Sequence, residues 1–134
     1  MIDIPDTHRD LLNANVGILA TTGKDGYPQV TALWFLFDED GRVKLYLNTT
    51  RQKLKNLRNH QECTFFIIDL ANPLRTLEIR ARAELKPDPD YTFVSKIDKK
   101  YGSDIRKMDP PGQSRVVVTL VPVRVNAIDM SKGS

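Results

Sequence analysis

A chain of 134 residues with ordinary apolar and charged fractions is of single-domain length, 1–134, and large enough to build a core without staples. The net charge of +3 is too mild to argue for nucleic acid by itself, and the single cysteine, Cys63, excludes an internal disulfide or a cysteine-type metal cluster and fits a reducing compartment. The first six residues carry acid and proline where a secretory signal carries base, and no apolar run approaches the roughly 18 residues of a membrane span, so a cytoplasmic protein without membrane insertion is expected.

Pro5 suits the first turn of a short helix, capped by Asp3 or Asp6 and anchored by Leu11 and Leu12. Residues 16–22 read as a β-branched, apolar strand, and Asp25-Gly26 as a hairpin turn. Pro28 opens a second strand over residues 29–37, and Asp38-Glu39-Asp40-Gly41 turns the chain into a third over 43–47, which predicts a three-stranded meander. After Asn48-Thr49-Thr50, residues 51–59 read as a short helix with Leu54 and Leu57 on its buried side. Residues 63–69 form an apolar strand. Residues 76–85 alternate Leu77, Ile79, Ala81, Ala83 and Leu85 with Glu78, Arg80, Arg82 and Glu84, a strand with one polar face. Residues 90–101 read as a helix with Phe93, Val94, Ile97 and Tyr101 inward, 102–113 as a polar loop, and 115–128 as a last strand with Pro122 at an edge or bulge. Six strands joined mainly by hairpins, with about three short helices, make a mainly β, antiparallel barrel.

No Gly-rich dinucleotide loop, Walker loop or nucleophile elbow is present, and His8 and His60 lack ligand-spaced partners. Cys63 reads as a small hydrophobe. The sequence therefore nominates no catalytic residue and no metal ligand, which leaves binding, or chemistry run by a cofactor. The one concentration of charge is Arg51, Lys53, Lys55 and Arg58, which begins at the predicted helix N-terminus beside Thr49 and Thr50. Helix N-termini favour anions, and the same run also reads as a solvated basic face. Counting 100° per residue puts Arg51, Lys55 and Arg58 on one face and Lys53 elsewhere. The strand over 29–37 is apolar on both faces, so it needs cover on both sides: a core on one, a partner subunit or planar ligand on the other. A barrel this small has no internal room for a large cofactor. Aromatics sit in apolar strands rather than among the bases, which argues against nucleic acid.

Taken in order, Gly17-Ile18-Leu19-Ala20-Thr21-Thr22, Asp25-Gly26-Tyr27-Pro28-Gln29-Val30, the Arg51-x-Lys53-x-Lys55-Asn56-Leu57 run and Leu77-Glu78-Ile79-Arg80-Ala81-Arg82-Ala83 resemble the pyridoxamine 5'-phosphate oxidase-like split β-barrel superfamily, and within it the F420-dependent flavin/deazaflavin oxidoreductases. The resemblance spans nearly the whole chain. It implies a Greek-key split barrel, a homodimer, and cofactor sites at the subunit interface. It implies that Thr49, Thr50, Arg51, Lys53 and Lys55 hold a cofactor phosphate and that the ring lies along Val30, Thr31, Ala32 and Trp34. It implies coenzyme F420, with FMN as the alternative, and hydride transfer to an electron-poor small molecule. The chain does not show the full set of substrate-phosphate arginines or the aromatic-rich C-terminal tail of the pyridoxamine phosphate oxidases themselves, so vitamin-B6 oxidation is not implied.

Overall fold

The computed structural model describes residues 3–49, 51–108 and 115–132. A 3-10 helix, Asp6–Asn13, precedes β1 (Gly17–Thr22), β2 (Pro28–Leu33), β3 (Leu36–Phe37), β4 (Val43–Asn48), α1 (Gln52–Asn59), β5 (Glu62–Ile68), β6 (Arg75–Pro87), α2 (Thr92–Tyr101), α3 (Ile105–Met108) and β7 (Arg115–Asp129), and a short 3-10 turn follows. The first helix is 3-10 rather than α, begins after Pro5, and no side chain caps it, so neither Asp3 nor Asp6 plays the expected part.

The strands form one antiparallel sheet in the order β2-β1-β5-β6-β7-β4-β3. The two edge strands, β2 and β3, are consecutive in the chain and separated only by Trp34 and Phe35. Two edges tied by two residues force the sheet to curl back on itself, which is the expected split barrel. The strand count is seven rather than six because the run over 29–37 breaks at that link. Its first part pairs with β1, from Gly17↔Leu33 to Thr22↔Pro28, and its last two residues pair with β4. The expected meander is therefore corrected: β2 and β4 are not neighbours, and β4 pairs along its length with β7 instead. Phe35 explains the break. It is 0% exposed and meets the Phe65 ring edge-on at 5.0 Å, so the chain leaves β2 to drive this ring into the core.

The two predicted turns hold, with Gly26 at φ 82° and Gly41 at φ 80°, a region closed to most side chains. Inward positions of successive strands, among them Leu19, Leu45, Phe65, Ile79 and Val118, fill the barrel with Leu54 and Leu57 of α1. Gly17 is needed for that packing: a Cβ there would lie 2.0 Å from Phe65 Cζ. Strand β6 alternates as read from the sequence, with Leu77, Ile79, Ala81 and Ala83 buried and Arg80, Arg82 and Glu84 exposed. At Pro122 the β6–β7 register slips, Arg80 facing Arg124 and Ala81 facing Pro122, which leaves Val123 as the bulged residue. A smaller cluster packs Phe93, Val94 and Ile97 of α2 with Ile105 of α3 against Trp34, Tyr46 and Tyr101. Asp88 accepts the Phe93 and Val94 N–H groups, each at 3.1 Å, and so starts α2. Part of the expected loop is helical, as α3; residues 109–114 lie outside the described residues.

Candidate functional site

Register brings together what the sequence keeps apart. Strand β4 ends where β7 begins, with Asn48 opposite Arg115. The Arg51 N–H donates to the Asn48 carbonyl at 3.0 Å, which turns the chain from β4 into α1. The end of β2 and Trp34 pass alongside, and α3 comes from beyond. Between them lies a cleft of about 310 Å³ lined by Thr31–Trp34, Tyr46–Asn48, Arg51, Lys53, Ile105, Met108 and Arg115, within the roughly 300–1,000 Å³ usual for small-molecule sites.

Its electrostatics are one-sided. Arg51, Lys53 and Arg115 contribute three cations, and among the described residues no carboxylate lines the cleft. Burial first, and the Arg51 charge second, hold the Lys53 amine below its ordinary value. Arg51 and Lys53 form no ion pair among the described residues. The Arg115 guanidinium lies 4.9 Å from the centre of the Tyr46 ring. Arg51 is extended (φ −72°, ψ 137°) and heads α1 without a side-chain cap. The start of this helix thus adds unpaired N–H groups to the cations. The ring of Trp34, also in the lining, lies flat on Tyr101, centroids 4.3 Å apart and 4° from parallel.

Of the residues expected to form a site, Thr31, Ala32, Trp34, Arg51 and Lys53 line this cleft. Val30 does not; it stands outside the lining, 64% exposed. Thr49 and Lys55 are not in the lining either, and Thr50 lies outside the described residues. The expected sharing of a face by Arg51, Lys55 and Arg58, with Lys53 apart, is corrected. Arg51 precedes the helix in extended backbone, so helical counting from it fails, and it converges with Lys53 instead. Asn56 is structural, donating to Thr21 Oγ1 at 3.0 Å and Gln29 Oε1 at 2.8 Å. The sequence reading missed Arg115, Tyr46, Asn48, Ile105 and Met108, which only the β4–β7 pairing and the fold of α3 bring in. Arg80 and Arg82 stay away from the cleft; Arg80 pairs with Glu78 at 3.2 Å and Arg82 donates to Gln61 at 2.9 Å. Cys63 is inert, its thiol pushed up to about 12 by burial and then by Glu62.

A second hollow, about 680 Å³, lies over the outer face of β1, β2 and β5, where Val16, Ile18, Phe66, Ile68 and Leu70 give it an apolar wall. Ala32 lines both hollows. Among the described residues, no helix is long and apolar enough to cross a membrane.

The family described as pyridoxamine 5'-phosphate oxidase matches residues 4–129. The chain belongs to this family. Its members are flavin-binding oxidoreductases. Among solved structures, an F420 reductase is 32% identical, with a TM-score of 0.79 over 92% of this chain and 98% of its own. A conserved hypothetical protein from Mycobacterium tuberculosis is 26% identical, with a TM-score of 0.79 over 98% and 88% of the two chains. The heme storage protein HutZ from Vibrio cholerae, at 14% identity and a TM-score of 0.73 over 95% and 96%, shares the fold alone. No curated protein gives a significant match.

Proposed function

We propose that the chain is an F420-dependent oxidoreductase whose cleft grips the phosphorylated part of the coenzyme, with FMN as the second candidate, and that it works as a homodimer on an electron-poor small molecule. The observation that carries this reading is the convergence of Arg51, Lys53 and Arg115, with no carboxylate among the described lining, on a cleft that Ala32 and Trp34 also line. Cations at a helix start suit phosphoryl oxygens. A small residue beside an aromatic ring suits the flat part of a flavin or deazaflavin. The 32% identity to an F420 reductase favours the deazaflavin; the family as a whole favours a flavin. When bound, the coenzyme supplies hydride transfer. The protein's residues bind and orient: Arg51 and Lys53 hold the anionic end, the β2 strand floors the ring, and Trp34, Ile105 and Met108 keep water from that wall.

Fluorescence titration of the purified protein with F420 and with FMN tests the proposal. Micromolar binding of at least one is expected, and micromolar binding of neither overturns it. Lys53→Ala is expected to weaken the preferred coenzyme about tenfold, the loss of one charge-assisted hydrogen bond; unchanged affinity removes Lys53 from the phosphate site.

A further inference from the structure

The link between β2 and β3 has no strand partner, yet its polar groups are met by the end of one distant helix. The Phe35 N–H donates to Tyr101 Oη at 3.1 Å, and the Phe35 carbonyl accepts from Lys100 Nζ at 2.8 Å. Tyr101 Oη lies 2.8 Å from the Asn15 carbonyl and 3.0 Å from the Phe35 carbonyl. A phenol carries one proton, and Lys100 already serves the Phe35 carbonyl, so the proton goes to Asn15. Lys100 Nζ also donates to the Ala14 carbonyl at 2.8 Å. The last two residues of α2 therefore fasten together the segment before β1 and the point where the sheet switches edges. The Tyr101 ring itself stacks on Trp34. Among the described residues, the Trp34 indole N–H has no hydrogen-bond partner, so stacking and packing alone set the ring's angle. The same helix sets the neighbouring wall: Asp98 accepts from Ser103 Oγ at 2.7 Å and from the Ile105 N–H at 3.1 Å, which docks α3 beside the cleft.

We propose that Tyr101 is a positioning residue of the cleft, outside its lining, that fixes the Trp34 ring as the wall against which the coenzyme sits. The inference rests on the coenzyme reading above for what occupies the cleft, and on the stacked pair alone for how the wall is held. Losing a stacked aromatic pair lets the indole turn into the cleft, so ligand binding must first move it out.

Trp34 is the only tryptophan, so its emission reports on this ring and nothing else. The test compares wild type, Tyr101→Phe and Tyr101→Leu, each checked for folding by circular dichroism, in two measurements: acrylamide quenching of Trp34 without coenzyme, and affinity for F420 and FMN. Tyr101→Leu is expected to increase quenching and to weaken coenzyme binding about tenfold. Tyr101→Phe keeps the stacked ring and is expected to stay near wild type in both. A purely structural role would lower the melting temperature of both variants and leave ring quenching and affinity untouched. Wild-type quenching in Tyr101→Leu, or raised quenching with unchanged affinity, overturns the proposal. Tyr101→Met, which keeps bulk and loses the flat ring, gives the same comparison if the leucine variant does not fold. A wild-type protein that binds neither coenzyme removes the coenzyme reading, and quenching by itself then decides whether Tyr101 holds the ring.

Discussion

The two hollows that meet at Ala32 are opposite in chemistry. The smaller gathers Arg51, Lys53 and Arg115 with no carboxylate among its described lining. The larger is floored by Ile18, Phe66 and Ile68 and rimmed by Val16 and the highly exposed Leu70. One strand separates them. On β2, Thr31 and Leu33 are half-buried while Val30 and Ala32 are exposed, because successive side chains leave a strand on opposite sides. Concentrated like charge is costly to hold together unless an anion offsets it. Exposed aliphatic surface on this scale is costly unless apolar surface covers it. The first hollow thus suits a charged ligand and the second a protein surface, which under the homodimer proposal is a second copy.

The largest expected effect separates the two directly. Reversing both cations, Arg51→Glu with Lys53→Glu, removes two charge-assisted bonds and adds repulsion, and should weaken coenzyme binding at least about a hundredfold. Sedimentation velocity on the same variant should show unchanged self-association. The mirror experiment is Phe66→Asp, which puts a carboxylate on the floor of the apolar hollow. Burying that unpaired charge against a second copy should weaken self-association at least about tenfold. If the variant remains fully associated, the subunit contact lies elsewhere on the molecule. Salt should divide the hollows more gently. Raising it from about 0.05 to 0.5 M should weaken coenzyme binding several-fold while leaving association through the apolar face intact, because ions screen charge pairs and not apolar contacts.

What the sequence made legible follows the same divide. Local signals were sound: Asp25-Gly26 turns, Leu54 and Leu57 face the core, β6 alternates, and the bulge falls at Pro122. The double apolarity of residues 29–37 was also visible, but its cause was not. It arises because the two parts of the run serve opposite edges of the sheet and Phe35 plunges between them. That follows from the pairing of β4 with β7, which joins residues about 70 positions apart, beyond any window of periodicity. For the same reason the cleft was half legible. Arg51 and Lys53 stand out as a local basic run; Arg115 begins a strand and carries no local sign that it returns to Asn48. Lys55 shares the run and lies outside the lining of the cleft. A residue one place before a helix does not follow the helix's angular count, so the count that set Lys53 apart from Arg51 fails.

The smallest expected effect contrasts two half-buried lysines. Burial holds Lys100 down at about 8, and burial followed by the charge of Arg51 depresses Lys53. Lys100 faces two carbonyls, of Ala14 and Phe35, and the rings of Phe35 and Tyr101 at 4.1 and 5.0 Å. A neutral amine still has two N–H groups for those two carbonyls. Between about 8 and the ordinary lysine value of roughly 10.4, the folded chain has released this proton and the unfolded chain keeps it, so stability rises with pH across that window. Lys100→Met lacks the contribution. The melting temperature of wild type relative to this variant should therefore improve from pH 8 to pH 10, with other titrations cancelling in the difference; a flat difference would show an ordinary solvated lysine, and a falling one would show that the carbonyls and rings favour the charged amine. For Lys53 the opposite sense is expected of ligand binding. Among the described residues its amine has no carbonyl or carboxylate to serve; its burial makes deprotonation favour the fold as well, but a phosphoryl ligand needs the charge, so coenzyme affinity should fall as pH rises through the lowered Lys53 value while stability does not.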